Sequence, residues 1–248
     1  MNKFFKKVRN SFYPPKCPVC GEKVMEDTKF CGTCQNRVER VPLMACQNCG
    51  RAFEHCMCDI NQAGDYFKTA GVFYYNDEMK RAVANLKFKK DTSGARFFAG
   101  EMSERVKEAF NGDEFDVIIP VPLGPVRYKQ RGFNQCDLLA KGMSEDLKVP
   151  EDKKSVKKWL ETKAQSSLPG DRRRENIQGV FKVENKDDIK DKRVLLVDDV
   201  VTTKSTANEI ARTIMDAGAE NVHILALCVT KIVYKYERRN SAHKREID

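Results

Sequence analysis

Val194-Leu-Leu-Val-Asp-Asp-Val-Val-Thr-Thr-Lys-Ser-Thr206 is the stretch whose reading decides the fold of this chain. Val194 to Val197 is an apolar run without polar alternation, the pattern of a strand covered on both faces in a parallel sheet. Asp198 and Asp199 are too polar to continue it. Ala207, Ile210, Ala211, Ile214 and Met215 then recur at helical spacing up to Gly218, a natural C-cap, and Val222 to Val229 is a second apolar strand. The unit reads strand, loop, helix, strand. Its loop belongs at the carboxyl edge of the sheet, where open α/β folds bind ligands.

The loop chemistry narrows that ligand. Thr202, Thr203, Ser205 and Thr206 set hydroxyls beside the unpaired N–H groups and positive dipole end of the following helix, which suits phosphate. Two adjacent carboxylates beside an anion site make sense if they meet sugar hydroxyls, or a Mg²⁺ that the phosphates also bind. A ribose phosphate with magnesium fits both halves; the bland alternative is a buried strand capped by acids, with Ser and Thr merely starting a helix. A Walker A loop is excluded, since Asp198 and Thr203 stand at both of its glycine positions, and the chain holds no G-x-G-x-x-G. A response-regulator receiver needs a later strand carrying an Asp, and the next strand has none.

The 248 residues, 41% hydrophobic and 33% charged, fit one domain of ordinary size with a small appendage. No apolar run approaches the ~20 residues of a membrane span. The first residues carry Lys3, Lys6 and Lys7 without a following apolar segment, so a cytoplasmic protein is expected. The net charge of +9 is patchy, with Lys153, Lys154, Lys157, Lys158 and Lys163 preceding Arg172 to Arg174, and Arg238, Arg239, Lys244 and Arg245 near the end. Such patches attract polyanions, whether nucleic acid or phosphorylated substrate.

Eight of the ten cysteines lie before residue 60, in four close pairs. Each C-x-x-C is a knuckle whose thiolates share one tetrahedral Zn²⁺, and two pairs complete a closed Cys₄ site. Sequential pairing gives Cys17, Cys20, Cys31 and Cys34 for one structural zinc and Cys46, Cys49, Cys56 and Cys58 for another; a cross-brace is the alternative arrangement, and His55 the alternative ligand in the second site. Cys136 and Cys228 fall in apolar patterns and read as core.

Between these ends, Tyr66 to Tyr75 reads as one or two strands, Asp77 caps a helix carrying Met79, Val83 and Leu86, and Ser93 opens another carrying Phe97, Phe98 and Met102. Phe115 to Ile119 is a buried strand. It leads into Pro120-Val-Pro-Leu-Gly-Pro-Val-Arg-Tyr-Lys-Gln-Arg-Gly-Phe-Asn-Gln135, a stiff turn before the helix of Leu138, Leu139, Met143 and Leu147. That is a second loop on the same sheet edge, and Arg127, Lys129 and Arg131 would suit a pyrophosphate. Thr162 to Glu175 is polar and basic, Val180 to Val183 resumes as a strand, and Tyr234 to Asp248 is a charged end.

The thirteen residues from Val194 to Thr206 resemble the phosphoribosyl pyrophosphate (PRPP) signature of type I phosphoribosyltransferases, with Lys204 where that family normally has Gly. P-V-P-L, R-G-F-N-Q, Gln165-Ser-Ser-Leu168, Arg174 and Asn176, taken with the zinc-ribbon cysteines, make the whole chain resemble the ComF competence family. The resemblance implies an α/β fold, a type I phosphoribosyltransferase-like parallel sheet flanked by helices, over residues 64–235, behind a small double zinc ribbon over 14–60 and ahead of a charged tail over 236–248. It implies that Asp198 and Asp199 meet ribose hydroxyls and Mg²⁺, that Thr202, Thr203, Lys204, Ser205 and Thr206 surround the 5'-phosphate, that Arg127 and Arg131 take the pyrophosphate, and that residues 162–175 close over PRPP. The expected role is PRPP binding in natural transformation, in the handling of single-stranded DNA with a competence helicase as partner. The alternative is an active phosphoribosyltransferase acting on a base or amine.

Overall fold

The computed structural model of the protein describes residues 14–25, 28–56, 58, 67–89, 92–160 and 179–231. Four strands form one sheet: β1 (Thr69–Tyr74), β2 (Val117–Pro120), β5 (Arg193–Val201) and β6 (Asn221–Val229), in the order β1-β6-β5-β2 and all parallel. The helices are α1 (Gly32–Gln35), α2 (Asp77–Phe88), α3 (Thr92–Ala109), α4 (Pro125–Arg131), α5 (Gln135–Leu147) and α6 (Ser205–Asp216). Between α5 and β5, β3 (Val156–Lys158) and β4 (Phe181–Val183) pair antiparallel as a separate ribbon.

The two faces of β5 show why its sequence lacks alternation. Leu195 and Val197 pack with Met79, Leu86, Phe98, Met102, Leu139 and Met143 from α2, α3 and α5. Val194 and Leu196 pack with Ile210 and Ile214 of α6 on the opposite face. All four are fully buried, so every position sees apolar neighbours.

Three local expectations are corrected. The acids do not end β5: Asp198 pairs with Ala226 and Val200 with Cys228, because the apolar run from Ile224 to Val229 of β6 supplies backbone partners through Val201. The cap of α2 is Asn76, whose side chain accepts a hydrogen bond from the Met79 amide at 3.1 Å, while Asp77 is the first helical residue. The helix read as opening at Ser93 begins at Thr92.

The cysteine-rich segment covers the β1 edge of the sheet. Arg40 bridges to Phe73 and Gly50 to Ala70, both against β1. Hydrogen bonds run from the Val41 amide to the Val72 carbonyl at 3.0 Å and from the Tyr74 amide to the Glu39 carbonyl at 2.8 Å. Covering an edge strand in this way removes a template for association.

Candidate functional site

β2 and β5 are neighbours in register, with Pro120 opposite Val197. The loops that follow them therefore leave the same carboxyl edge of the sheet. Asp198 and Asp199 stand at that edge, both buried. The Asp199 amide donates to Asp198 Oδ1 at 2.8 Å. Burial and the adjacent Asp199 carboxylate both push Asp198 well above the ordinary aspartate range.

Groups from three other elements converge on the pair. Lys87, near the end of α2, sets its ammonium against Asp199 Oδ2. Burial opposes that charge, but Asp199 outweighs it and holds Lys87 above the usual lysine value. Gln135 Nε2 donates to Asp199 Oδ1 at 3.3 Å, and Arg131 donates to Gln135 Oε1 at 3.0 Å. Cys136 Sγ lies 3.9 Å from Asp198 Oδ1 and 4.0 Å from Asp199 Oδ1, its thiol pushed far up by burial and by both acids. Asn134 fixes this turn, accepting from the Cys136 amide at 3.1 Å and donating to the Val121 carbonyl at 3.0 Å.

The structure thus links the R-G-F-N-Q turn to the acid pair through Arg131 and Gln135. Arg131 is half-buried beneath the Phe88 ring, 5.2 Å from its centroid, and is drawn below the usual arginine value by burial and by the charge of Arg127. Arg127 lies on the exposed side of α4. The carboxylate oxygens are the donor type Mg²⁺ prefers and fit such an ion, with the Lys87 ammonium as a competing cation already on Asp199.

The hydroxyl loop lies between β5 and α6. Thr203 Oγ1 and Ser205 Oγ are 2.9 Å apart, and the first helical residue is Ser205. Lys204 holds φ +64°, the left-handed conformation that favours glycine. Its ammonium turns away from the loop into the cysteine-rich segment, donating to the Asn48 carbonyl at 2.5 Å, Asn48 Oδ1 at 3.3 Å and the Phe67 carbonyl at 3.2 Å. The residue expected among the phosphate contacts is placed instead with the ribbon.

Both cysteine groups assemble as sequential pairing predicts. In each of the two sets, Cys17, Cys20, Cys31, Cys34 and Cys46, Cys49, Cys56, Cys58, the sulfurs lie within 4.8 Å of one another, a donor set that fits one tetrahedral Zn²⁺. His55 is not in the second set; its ring meets Tyr74 edge-on at 5.4 Å. Cys136 is core, as expected, yet it also lies against the acids. Sequence reasoning misses Lys87, Gln135 and Cys136 as site residues because helical periodicity alone accounts for their positions; only the R-G-F-N-Q motif carries a signal. The basic connector at 162–175 lies outside the described residues, as does the charged tail at 236–248.

Comparison with known proteins follows this division. A double zinc ribbon domain model matches residues 8–63, and a phosphoribosyl transferase domain model matches residues 93–246. Competence protein F of Haemophilus influenzae is 29% identical over 226 residues, covering 88% of this chain and 98% of that protein. The DNA utilization protein YhgH of Escherichia coli is 30% identical over 208 residues, covering 81% of this chain and 90% of its own length. Among solved structures, the purine phosphoribosyltransferase from Pyrococcus horikoshii is 23% identical, with TM-score 0.34 over 56% of this chain and 76% of that one.

Proposed function

Because this chain belongs to the ComF competence family, a double zinc ribbon joined to a phosphoribosyltransferase domain, we propose that it binds a phosphoribosyl ligand of the PRPP class at the β5–α6 loop and acts in the cytoplasm on incoming single-stranded DNA during natural transformation. One observation carries the ligand reading: a buried acid pair, a hydroxyl loop at a helix N-terminus and an arginine-bearing turn share one carboxyl edge of a parallel sheet.

In this reading the Thr202–Thr206 loop holds the 5'-phosphate through hydroxyls and the α6 N–H groups. Asp198 and Asp199 meet the ribose hydroxyls. Arg131 and Arg127 face the pyrophosphate. Mg²⁺ bound with the ligand would neutralise phosphate charge, and the acid pair is where the chain would meet it. The Lys87 ammonium already sits against Asp199 Oδ2 before any ligand arrives.

The DNA part is supported by a second feature. Lys129, Lys153, Lys157 and Lys158 line a cavity of about 490 Å³ beside Tyr128, next to the β2 loop. Trp159 is exposed just beyond it, with its indole N–H on the Gly179 carbonyl at 2.9 Å. Cations with accessible aromatic rings suit a single strand, whose phosphates and bases they meet separately.

The test is thermal. PRPP with Mg²⁺ at a hundredfold excess over Kd should stabilise the protein by about 2.7 kcal/mol, and inorganic phosphate by less. Asp198→Asn combined with Asp199→Asn should abolish that shift in protein that remains folded. No shift with PRPP or ribose 5-phosphate, in zinc-loaded protein, sinks the reading; pyrophosphate release when bases or amines are added would establish turnover instead.

A further inference from the structure

The phosphate loop is held from outside its own domain. The knuckle that opens the second cysteine set, Cys46-Gln-Asn-Cys49-Gly-Arg51, hereafter the second knuckle, is fixed by hydrogen bonds from the Gly50 amide to the Cys46 carbonyl and from the Cys46 amide to the Arg51 carbonyl, each 2.8 Å. The same turn that gathers Cys46 and Cys49 aims the Asn48 carbonyl at the Lys204 ammonium. It also sends the Arg51 side chain under the other end of the loop, where the guanidinium donates to the Thr202 carbonyl and, at 2.6 Å, to the Thr230 carbonyl.

Both cations are buried, Arg51 3% exposed and Lys204 8%, so each depends on these carbonyls in place of water. Nor can the knuckle drift. The Thr69 amide donates to the Gln47 carbonyl at 2.6 Å, and a Cβ added at Gly50 would stand 3.0 Å from the Gly71 nitrogen of β1. The loop is gripped at Thr202 by Arg51 and at Lys204 by Asn48, with the left-handed Lys204 backbone at the second grip.

We infer that the second zinc knuckle is a working part of the phosphoribosyl site: Arg51 and Lys204 are positioning residues that transmit the fold of the Cys46, Cys49, Cys56 and Cys58 cluster to the Thr202–Thr206 loop. Ligand affinity then depends on this cluster and not on the polar anchors of the first ribbon segment. A purely adhesive role would predict contacts to any convenient surface. Instead the Arg51 and Lys204 side chains fasten the one loop that the phosphate reading singles out. Lys204 in place of the usual Gly has a reason here: the substitution exchanges conformational ease for an anchor.

The inference rests on the phosphoribosyl reading for its ligand but not for its mechanics, so two readouts separate them. Full-length protein and the variants Cys58→Ser, Arg51→Met, Lys204→Met and Lys29→Met are compared for zinc per chain, amide hydrogen exchange in residues 202–206, and calorimetric affinity for PRPP with Mg²⁺. Cys58→Ser should lower zinc toward one per chain, speed exchange in the loop at least tenfold and weaken PRPP at least tenfold. Arg51→Met and Lys204→Met should keep both zinc ions and still loosen the loop several-fold. Lys29→Met, which removes a pairing with Glu101 on α3, should leave loop exchange and affinity alone. Unchanged loop exchange in Arg51→Met and Lys204→Met overturns the inference, whether or not Cys58→Ser folds. Wild-type protein that binds no PRPP defeats the phosphoribosyl reading instead, while exchange still decides the coupling.

Discussion

The zinc knuckles that open the two cysteine sets, Cys17–Gly21 and Cys46–Gly50, are near copies in local structure and opposites in what they touch. In the first, the Gly21 amide bonds to the Cys17 carbonyl at 2.8 Å and Gly21 takes φ +79°; in the second, the Gly50 amide bonds to the Cys46 carbonyl at 2.8 Å and Gly50 takes φ +70°. The first zinc segment, from Cys17 to Cys34, then joins the main core. Val19 is fully buried and its carbonyl accepts from Asn85 Nδ2 at 3.1 Å, while Phe30 meets Phe73 and Phe97 edge-on at 6.3 and 5.3 Å. The second meets the sheet edge and the hydroxyl loop through carbonyls and cations. One motif thus serves as a hydrophobic staple in one place and as a polar brace in the other. What a zinc knuckle does is set by the residues its turn presents, not by the turn.

Of the substitutions that separate the two knuckles, Phe30→Ala should cost the most. Phe30 is 3% exposed and packs against two aromatic rings, and truncating a buried Phe costs about 3–5 kcal/mol. Urea denaturation should record that loss for the first ribbon, and PRPP affinity measured below the transition should be unchanged. A fall in affinity as large as that expected for Cys58→Ser would erase the distinction between the two knuckles.

Gly21→Ala and Gly50→Ala probe the same contrast with one methyl group. A left-handed alanine costs about 1 kcal/mol in either turn. At Gly21 the new Cβ meets nothing within 4 Å, whereas at Gly50 it meets the backbone of Ala70 and Gly71 at 3.1 and 3.0 Å. Overpacking against backbone adds about 1–3 kcal/mol. Melting temperatures should therefore fall much further for Gly50→Ala, and equal losses would mean that the second knuckle does not lie on β1.

The brace also leans on a site that stores repulsion. Asp198 is raised because burial and Asp199 disfavour its charge, so its contribution to stability is present below the unfolded aspartate value, near pH 4, and is lost as pH rises through the folded one. Asp198→Asn should accordingly stabilise the ligand-free protein by about 1–2 kcal/mol at pH 8 and by less at pH 5. A gain that does not grow with pH would locate the effect outside this charge pair.

The first-order architecture is legible in the sequence because its signals are local. The apolar run of β5, the stripe of α6 and the cysteine spacings each lie within a short stretch of chain, and each announces an element or a metal site without reference to the rest, although the spacings leave a cross-brace open until the sulfurs are placed. What escapes depends on distant segments. Lys87 reaches Asp199 from a helix far earlier in the chain, and nothing in the α2 pattern marks that lysine among its neighbours. β5 runs longer than its apolar stretch because backbone pairing with β6 outweighs the polarity of two side chains. β3 is three residues long and two of them are lysines, so the β3–β4 ribbon has no periodicity to announce it. Lys204 stands out in the sequence as a departure. Its partner Asn48 cannot be inferred, since it sits 156 residues away inside a knuckle that already has a complete explanation in zinc.

Lys204→Gly should change stability least, because two opposed contributions meet in a single residue. Glycine accepts φ +64° freely, which relieves about 1 kcal/mol of backbone strain. It also removes an ammonium bonded to two carbonyls and a side-chain oxygen of the ribbon and strand edge, and bonds to a charged group carry about 1.5–3 kcal/mol. The anchor outweighs the strain, so the variant should be less stable by about 1 kcal/mol. Its loop should also be looser, despite the more permissive backbone. Were backbone strain to dominate, Lys204→Gly would melt higher than wild type and bind PRPP more tightly, and the lysine would be a flaw in the loop. If the anchor dominates, Lys204→Gly resembles Lys204→Met in loop exchange and differs from it only by the relieved strain, so the pair of variants measures the two contributions separately.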